Sequence, residues 1–387
     1  MLFNLSKIVL NSSIIQAIIV GLLFVCFATN TLAVTQQSLT LPLTFEYETN
    51  PQFSITDEKS VNRVILVPNY SLTVNQDTEE WFAQISFRLE RTSDQTISED
   101  RNDPTLNLGW KHDYETGQFG LTGFLNNQST RVSEFTDSGL VSDDNTRKTR
   151  SLSVNWLNNL SDRTSLTFSG DATNVTFDGV TTTGLIDYRN ELINAQLNYM
   201  FNEKVESFTQ LSFSRYKPEG LNAINSETKS FDIGVILNVN ERFNMTASAG
   251  INETKNINNI QTTSNDRSWQ ANLNMQYATL RTNSHLSISR SLLPGSTGIL
   301  NETNQVIAGW TYNLSEQDNI VFDINWSENL SLNKTVTQHF SVNYTKAFSL
   351  SWDLSLSAVH RSIDNNLTIA AASNSIMASI IYKLPDF

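Results

Sequence analysis

The chain of 387 residues contains one cysteine, 7 prolines and 15 glycines. That cysteine, Cys26, lies in an apolar N-terminal run. Residues 34–387 can therefore form no internal disulfide, which excludes the cross-linked frameworks on which small secreted domains depend. Basic residues are also scarce, 26 against 39 acidic, for a formal net charge of -13, so nucleic acid is not an expected partner. Beyond residue 33 no apolar stretch approaches the roughly 20 residues that a membrane-spanning helix needs. Mean hydropathy is -0.27. Such averages fit a soluble protein, but they fit equally a chain that shows lipid only every second residue.

The first residues set the compartment. Lys7 supplies a short positive segment, Ile14 to Phe27 is an apolar run whose only strongly polar member is Gln16, and Thr31-Leu32-Ala33 offers small residues for cleavage. The spacing predicts a signal peptide over 1–33 and a mature domain over 34–387. Val25 before Cys26 argues against lipoprotein processing. The leader holds Lys7 and no acid, leaving 25 basic and 39 acidic residues, a net charge of -14.

What the remaining sequence has in abundance is period two. Leu39, Leu41, Leu43, Phe45 and Tyr47 alternate with Thr40, Pro42, Thr44, Glu46 and Glu48. The pattern returns in Val64 to Val74 and in Trp81 to Leu89, and Phe231 to Val239 runs through a tight turn into Phe243 to Ile251. Each is a strand with one apolar face. A soluble sandwich or β-helix is the rival reading. It would carry more fully apolar core runs and more turn glycine.

Short and long connections then alternate. Short ones fall near 75–80, 113–118, 158–163, 202–205, 240–242, 279–283, 315–319 and 346–348. Longer polar ones fall near 49–60, 92–104, 127–149, 177–190, 216–230, 252–267, 291–304, 327–336 and 361–373. Eight turns and nine loops predict an all-β, antiparallel, up-and-down transmembrane barrel of about 18 strands, with short periplasmic turns and longer extracellular loops. The weakly patterned segments 105–126 and 284–290 leave 16 or 20 as neighbouring counts. Tyr47, Trp81, Trp110, Trp156, Trp269, Tyr277, Tyr312, Trp326 and Trp352 share the apolar phase, as interfacial girdles require. Phe387, a terminal aromatic, is the kind of residue that barrel-assembly machinery reads.

The opposite phase would line the lumen. Gln270, Asn272, Asn274 and Gln276 give one amide row, Asp232, Asp323 and Asp353 add single acids, and Arg88 lies on an early strand. The expected lumen is largely uncharged and mildly acidic, suited to neutral or cationic solutes or a glycan, and wide enough for water unless loops fold in. Amides and hydroxyls also serve simply to wet such a wall. Catalytic chemistry is not expected: His112, His285, His339 and His360 are scattered outside any His-Glu-x-x-His pattern. No cofactor or metal is expected either. The acidic clusters Asp143-Asp144-Asn145 and Asp94 to Asp103 lack a calcium-loop pattern and read as solvated loops.

One loop is less generic. Ser289 to Gly298, containing Arg290, Pro294, Gly295 and Gly298, resembles the "SRS…PSGxG" segment of outer-membrane barrel proteins associated with PEP-CTERM/exosortase and exopolysaccharide loci. Tyr47-Glu48-Thr49-Asn50-Pro51 is similar to their "YxDNP" stretch, and Pro68, Asn102-Asp103-Pro104 and Ser129-Thr130 also resemble the pattern. The resemblance implies a role in surface polysaccharide or protein export; outer-membrane lipid and lipopolysaccharide are the partners expected of such a barrel, and polysaccharide is a further candidate. Physically, Pro294 and the glycines predict a tight turn in an outward loop, with Arg290 beside it able to hold a carboxylate or a lipopolysaccharide phosphate. The alternative reading is that the glycines only shape that loop.

Overall fold

The computed structural model describes residues 34–137, 144–179, 184–220, 224–257, 263–330, 334–365 and 368–384. The signal peptide predicted over 1–33 and Phe387 lie outside them. In chain order the strands are β1 (Val34–Thr49), β2 (Ser60–Leu66), β3 (Asn69–Gln76), β4 (Glu79–Thr92), β5 (Arg101–Tyr114) and β6 (Gly117–Ser129). One helix, α1 (Thr130–Asp137), precedes β7 (Thr146–Ser161), β8 (Thr164–Asp178), β9 (Tyr188–Asn202), β10 (Val205–Pro218), β11 (Asn225–Asn240) and β12 (Phe243–Ile257). The wall ends with β13 (Thr263–Ala278), β14 (Thr282–Pro294), β15 (Leu300–Asn313), β16 (Asp318–Asn329), β17 (Thr335–Ala347), β18 (Trp352–Asn365) and β19 (Thr368–Leu384).

All strands join one antiparallel sheet, and β1 pairs with β19, from Leu39 against Leu384 to Thr49 against Asn374. Closure leaves no free edge and satisfies the backbone within the wall, which is what spanning a bilayer demands. The 19 segments make eighteen staves. β2 and β3 are one stave interrupted at Pro68, since β1 and β4 pair with both halves in unchanged register. Proline lacks the N–H that would continue the ladder there. Its carbonyl still accepts from Phe87 N at 3.1 Å, and Val67 N reaches Pro42 O at 3.1 Å.

The eight turns and nine loops stand where the sequence spacing puts them, and both weak segments are full strands, β5, β6 and β14. Several loops are shorter than expected because the ladder continues upward through polar cross-strand pairs. Thr228 and Thr254 share a hydroxyl bond of 2.9 Å, and Ser226 reaches Asn256 at 2.6 Å. The segment 361–373 is mostly strand for the same reason: β18 and β19 run to Asn365 and from Thr368.

Register fixes which side each residue faces. The outward phase carries the large exposed apolar side chains, among them Ile193, Leu211, Ile233, Ile251 and Ile376. Near the turns, aromatic pairs cluster on this phase: Trp81 on Trp110 at 5.6 Å, Trp310 on Phe322 at 5.3 Å and Trp352 on Tyr382 at 4.9 Å. This is the girdle that amphipathic rings form at a lipid boundary.

Candidate functional site

The inward phase holds two different surfaces. At the loop end the chain leaving β6 does not run on outward. Instead α1 enters the lumen, because its side chains find partners on the wall that water would not better. Arg131 donates to Glu48 at 2.8 Å and lies 3.5 Å from Glu90. On the other flank Phe135 packs on Phe53 of the β1–β2 loop at 5.5 Å and on Ile363 of β18.

Glu48 is the centre of this contact. Wholly buried, it accepts from Arg63, Arg131, Arg361 and the Ser373 hydroxyl. Arg63, 1 % exposed, also meets Glu46 at 3.2 Å and Glu90 at 3.1 Å, while Arg88 meets Glu90 at 2.8 Å. Arg101 joins Asp103 at 2.8 Å and Asp144 at 3.3 Å, and Glu134 on α1 binds Arg147 at 3.1 Å. Each carboxylate thus has a guanidinium, as burial requires: an unpaired buried charge costs several kcal/mol. Asp144, outside the strands, shows the balance. Burial opposes its ionisation, yet Arg131, the Ser129 hydroxyl and Arg101 hold its carboxyl below the ordinary aspartate value.

Two expectations are corrected here. Asp144 and Asp103 are not solvated loop acids but buried members of this network, with side chains 6 % and 8 % exposed; Asp143 lies outside the described residues. The lumen is also not largely uncharged at this end. It carries an apolar cluster as well, with Val175, Phe177, Leu185, Tyr188 and Tyr216 packed against Leu300.

The β14–β15 loop completes the cover. It makes the tight turn expected of Pro294, Gly295 and Gly298, but it folds over the mouth rather than outward. Buried Ser296 donates to Glu134 on α1, Tyr216 donates to Gly295 O at 2.5 Å, and Ile186 N donates to Ser296 O at 2.7 Å. Glu48, Asp103, Ser129, Thr130 and Ser296, taken from the segments that carry the family resemblance, all converge on this assembly. Arg290 stands elsewhere. It faces outward from β14, paired with Glu302 at 2.5 Å.

Toward the turns the inward phase is amide and hydroxyl. Asp232 pairs with Gly250 and Gly250 with Gln270, so all three face inward, and Gln270 donates to both oxygens of Asp232 at 2.6 Å. Asn272, Asn274 and Gln276 continue the row toward the turn end. Asp323 accepts from Ser341 at 3.3 Å, and Asp353 is paired with Lys383. Arg88 is inward too, but at the charged end. Of the histidines, His285 and His339 face inward and His112 and His360 outward. Among the described residues no group of three or more His, Cys, Asp or Glu is arranged to hold a metal.

Sequence alone does not single out Arg63, Arg101, Arg131 or Arg361. A usable signal existed: except for Arg131, all sit on the polar phase within a few residues of a loop, where single inward charges have no reason to gather unless they meet.

A closed eighteen-stave antiparallel barrel, apolar outside and polar within, is the fold of outer-membrane porins. Crystal structures share it, among them the following two. Acinetobacter baumannii OccAB4 aligns at TM-score 0.50 and 11 % identity, covering 90 % of this chain and 98 % of that one. The outer membrane protein opdK from Pseudomonas aeruginosa aligns at TM-score 0.50 and 10 % identity, covering 92 % and 99 %. At such identities the likeness is one of fold. No family model matches the chain, and no curated protein matches it in sequence.

Proposed function

We propose that this chain is a non-enzymatic outer-membrane channel for small hydrophilic solutes, neutral or cationic, with its short turns in the periplasm and its loops at the cell surface. The carrying observation is the inward face below α1. Asp171 is held by Ser153 and Thr173 at 2.7 and 2.8 Å, Asp232 by Gln270 and Asp323 by Ser341. None of the three has a cationic partner among the described residues. A water-filled lumen lined by uncompensated carboxylates concentrates cations and repels anions.

Planar bilayers test this. The folded protein should give conductance steps whose reversal potential in a salt gradient favours the cation, and Asp171→Asn, Asp232→Asn and Asp323→Asn combined should move that potential toward zero. A correctly folded sample that leaves the bilayer sealed would overturn the channel.

A second reading has its own support in the network around α1, which covers the mouth. On it the barrel is plugged and binds or helps export a surface polysaccharide, the role that the sequence resemblance implies. It predicts little conductance together with retention on the organism's own polysaccharide.

A further inference from the structure

The outer face of the wall is electrostatically lopsided. On β10 to β14 six outward cations stand at the loop end: Arg215, Lys217, Lys229, Lys255, Arg267 and Arg290. The outward carboxylates of these strands are Glu227 and Glu253, and Glu302 on β15 pairs with Arg290. On the opposite arc, from β17 round to β6, Arg91 is the one outward cation at that end among the described strand residues. So basic a face on a chain of net charge -13 needs a reason.

Register shows what lies beneath it. Phe213, Lys229, Glu253 and Arg267 form one cross-strand row, and the next row toward the turns is Leu211, Phe231, Ile251 and Trp269. The cations therefore begin one row from exposed hydrocarbon-facing side chains. Arg267 is paired loosely with Glu253 at 3.6 Å, whereas Lys229 and Lys255 have no carboxylate at ion-pair distance among the described residues. Beside this row, between Trp269 and Trp326, lies an outward groove of about 350 Å³ floored by Ala271, Leu273, Ile288 and Val306. The Arg290 guanidinium stacks at its rim, 4.3 Å from the centre of the Trp269 ring.

We propose that this wall docks lipopolysaccharide of the outer leaflet, with Lys229, Lys255 and Arg267 meeting its phosphates and the groove seating an acyl chain. A phosphorylated glycolipid presents several anionic groups directly above hydrocarbon at a barrel's extracellular rim, where a phospholipid presents one. Carboxylates alone would not need the apolar groove, and an ordinary hydrocarbon tail would not need the cations. The proposal rests on the orientation given above, with loops at the surface, but not on an open pore.

The test uses the full folded barrel, delipidated in detergent, titrated with fluorescent lipopolysaccharide. Lys229→Gln with Lys255→Gln should bind about thirty-fold more weakly, each lysine near an anionic lipid surface contributing a few-fold or more. The Lys229→Arg, Lys255→Arg pair should restore binding, and Arg91→Gln on the opposite arc should leave it unchanged. Enzymatically dephosphorylated lipopolysaccharide should bind wild type and variant equally weakly. Phosphatidylglycerol vesicles should compete poorly. The proposal fails if the double glutamine variant, shown folded by its heat-modifiable gel mobility, binds like wild type, if dephosphorylated lipid binds as tightly, or if phosphatidylglycerol competes as well. Bilayer conductance, recorded on the same samples, separates this failure from that of the channel reading.

Discussion

At the loop end of the lumen Glu48, Arg63 and Glu90 are at most 1 % exposed, and every charge is matched. About half a strand lower, Asp171, Asp232 and Asp323 have only hydroxyl or amide partners. The difference follows from solvent. Where α1 and the β14–β15 loop exclude water, a carboxylate persists only with guanidiniums around it; half-buried Asp171 and Asp323 meet the open lumen, where water does that work and the charge is left to act on solutes, while Asp232, 7 % exposed, relies on the Gln270 amide. One end of the barrel is thus built as packed protein and the other as a wetted wall.

The largest break in that contrast comes from Glu48→Gln. Arg63, Arg131 and Arg361 would lose the carboxylate they share, in a site with no water to replace it. Removing one partner of a buried ion pair costs about 3–5 kcal/mol. The expected outcome is release of α1, seen as a severalfold rise in single-channel conductance and a lower denaturant midpoint. Asp232→Asn should leave α1 in place and the denaturant midpoint unchanged. Unchanged conductance and midpoint in the Glu48 variant would mean that the network does not hold α1.

The wall was legible from sequence because lipid enforces period two on every stave, so strand number, turn positions and the inward phase could be read residue by residue. Even the interruption at Pro68 keeps that phase. The mouth was not legible, because nothing local in Thr130 to Asp137 says that Arg131 will meet Glu48 more than 80 residues earlier. Pairing of that range depends on where closure brings the loops, and a polar loop heading inward looks like one heading outward. Asp144 illustrates the ambiguity: beside Asn145 it has the composition of a solvated turn, yet its partners are Arg101, Arg131 and Ser129.

Acid should sharpen the comparison with a smaller effect. The Asp144 carboxyl titrates below its unfolded value, so its stabilisation is fully present above the ordinary aspartate value of about 3.9 and is lost as pH falls through the lower folded one. Conductance should therefore stay level between about pH 8 and 5 and rise only below about pH 4, as the contacts of Asp144 with Ser98, Arg101 and Ser129 are lost. Recording single channels across that range checks it. A rise already complete at pH 5 would assign the opening to another group.

The smallest effect is expected at glycines that the two ends use differently. Gly298, in the covering loop, has φ of +85°, and a Cβ there would stand 2.8 Å from Ile186 Cδ1. Left-handed backbone costs a non-glycine residue about 1–2 kcal/mol, while the Ile186 side chain can swing aside at little further expense. Gly298→Ala should consequently loosen the 295–299 loop without unfolding the wall, and a free-energy change of that size corresponds to roughly 5- to 30-fold faster proteolytic cleavage of the loop. Gly120, inward on β6 near the turn end, lies in regular strand, and its added Cβ would come no closer than 3.9 Å to Trp110 O. Gly120→Ala should leave both cleavage and conductance unchanged. If the two alanine variants were cleaved at the same rate, the loop would not depend on the Gly298 backbone, and its hold on the mouth would rest on its hydrogen bonds with Glu134, Tyr216 and Ile186.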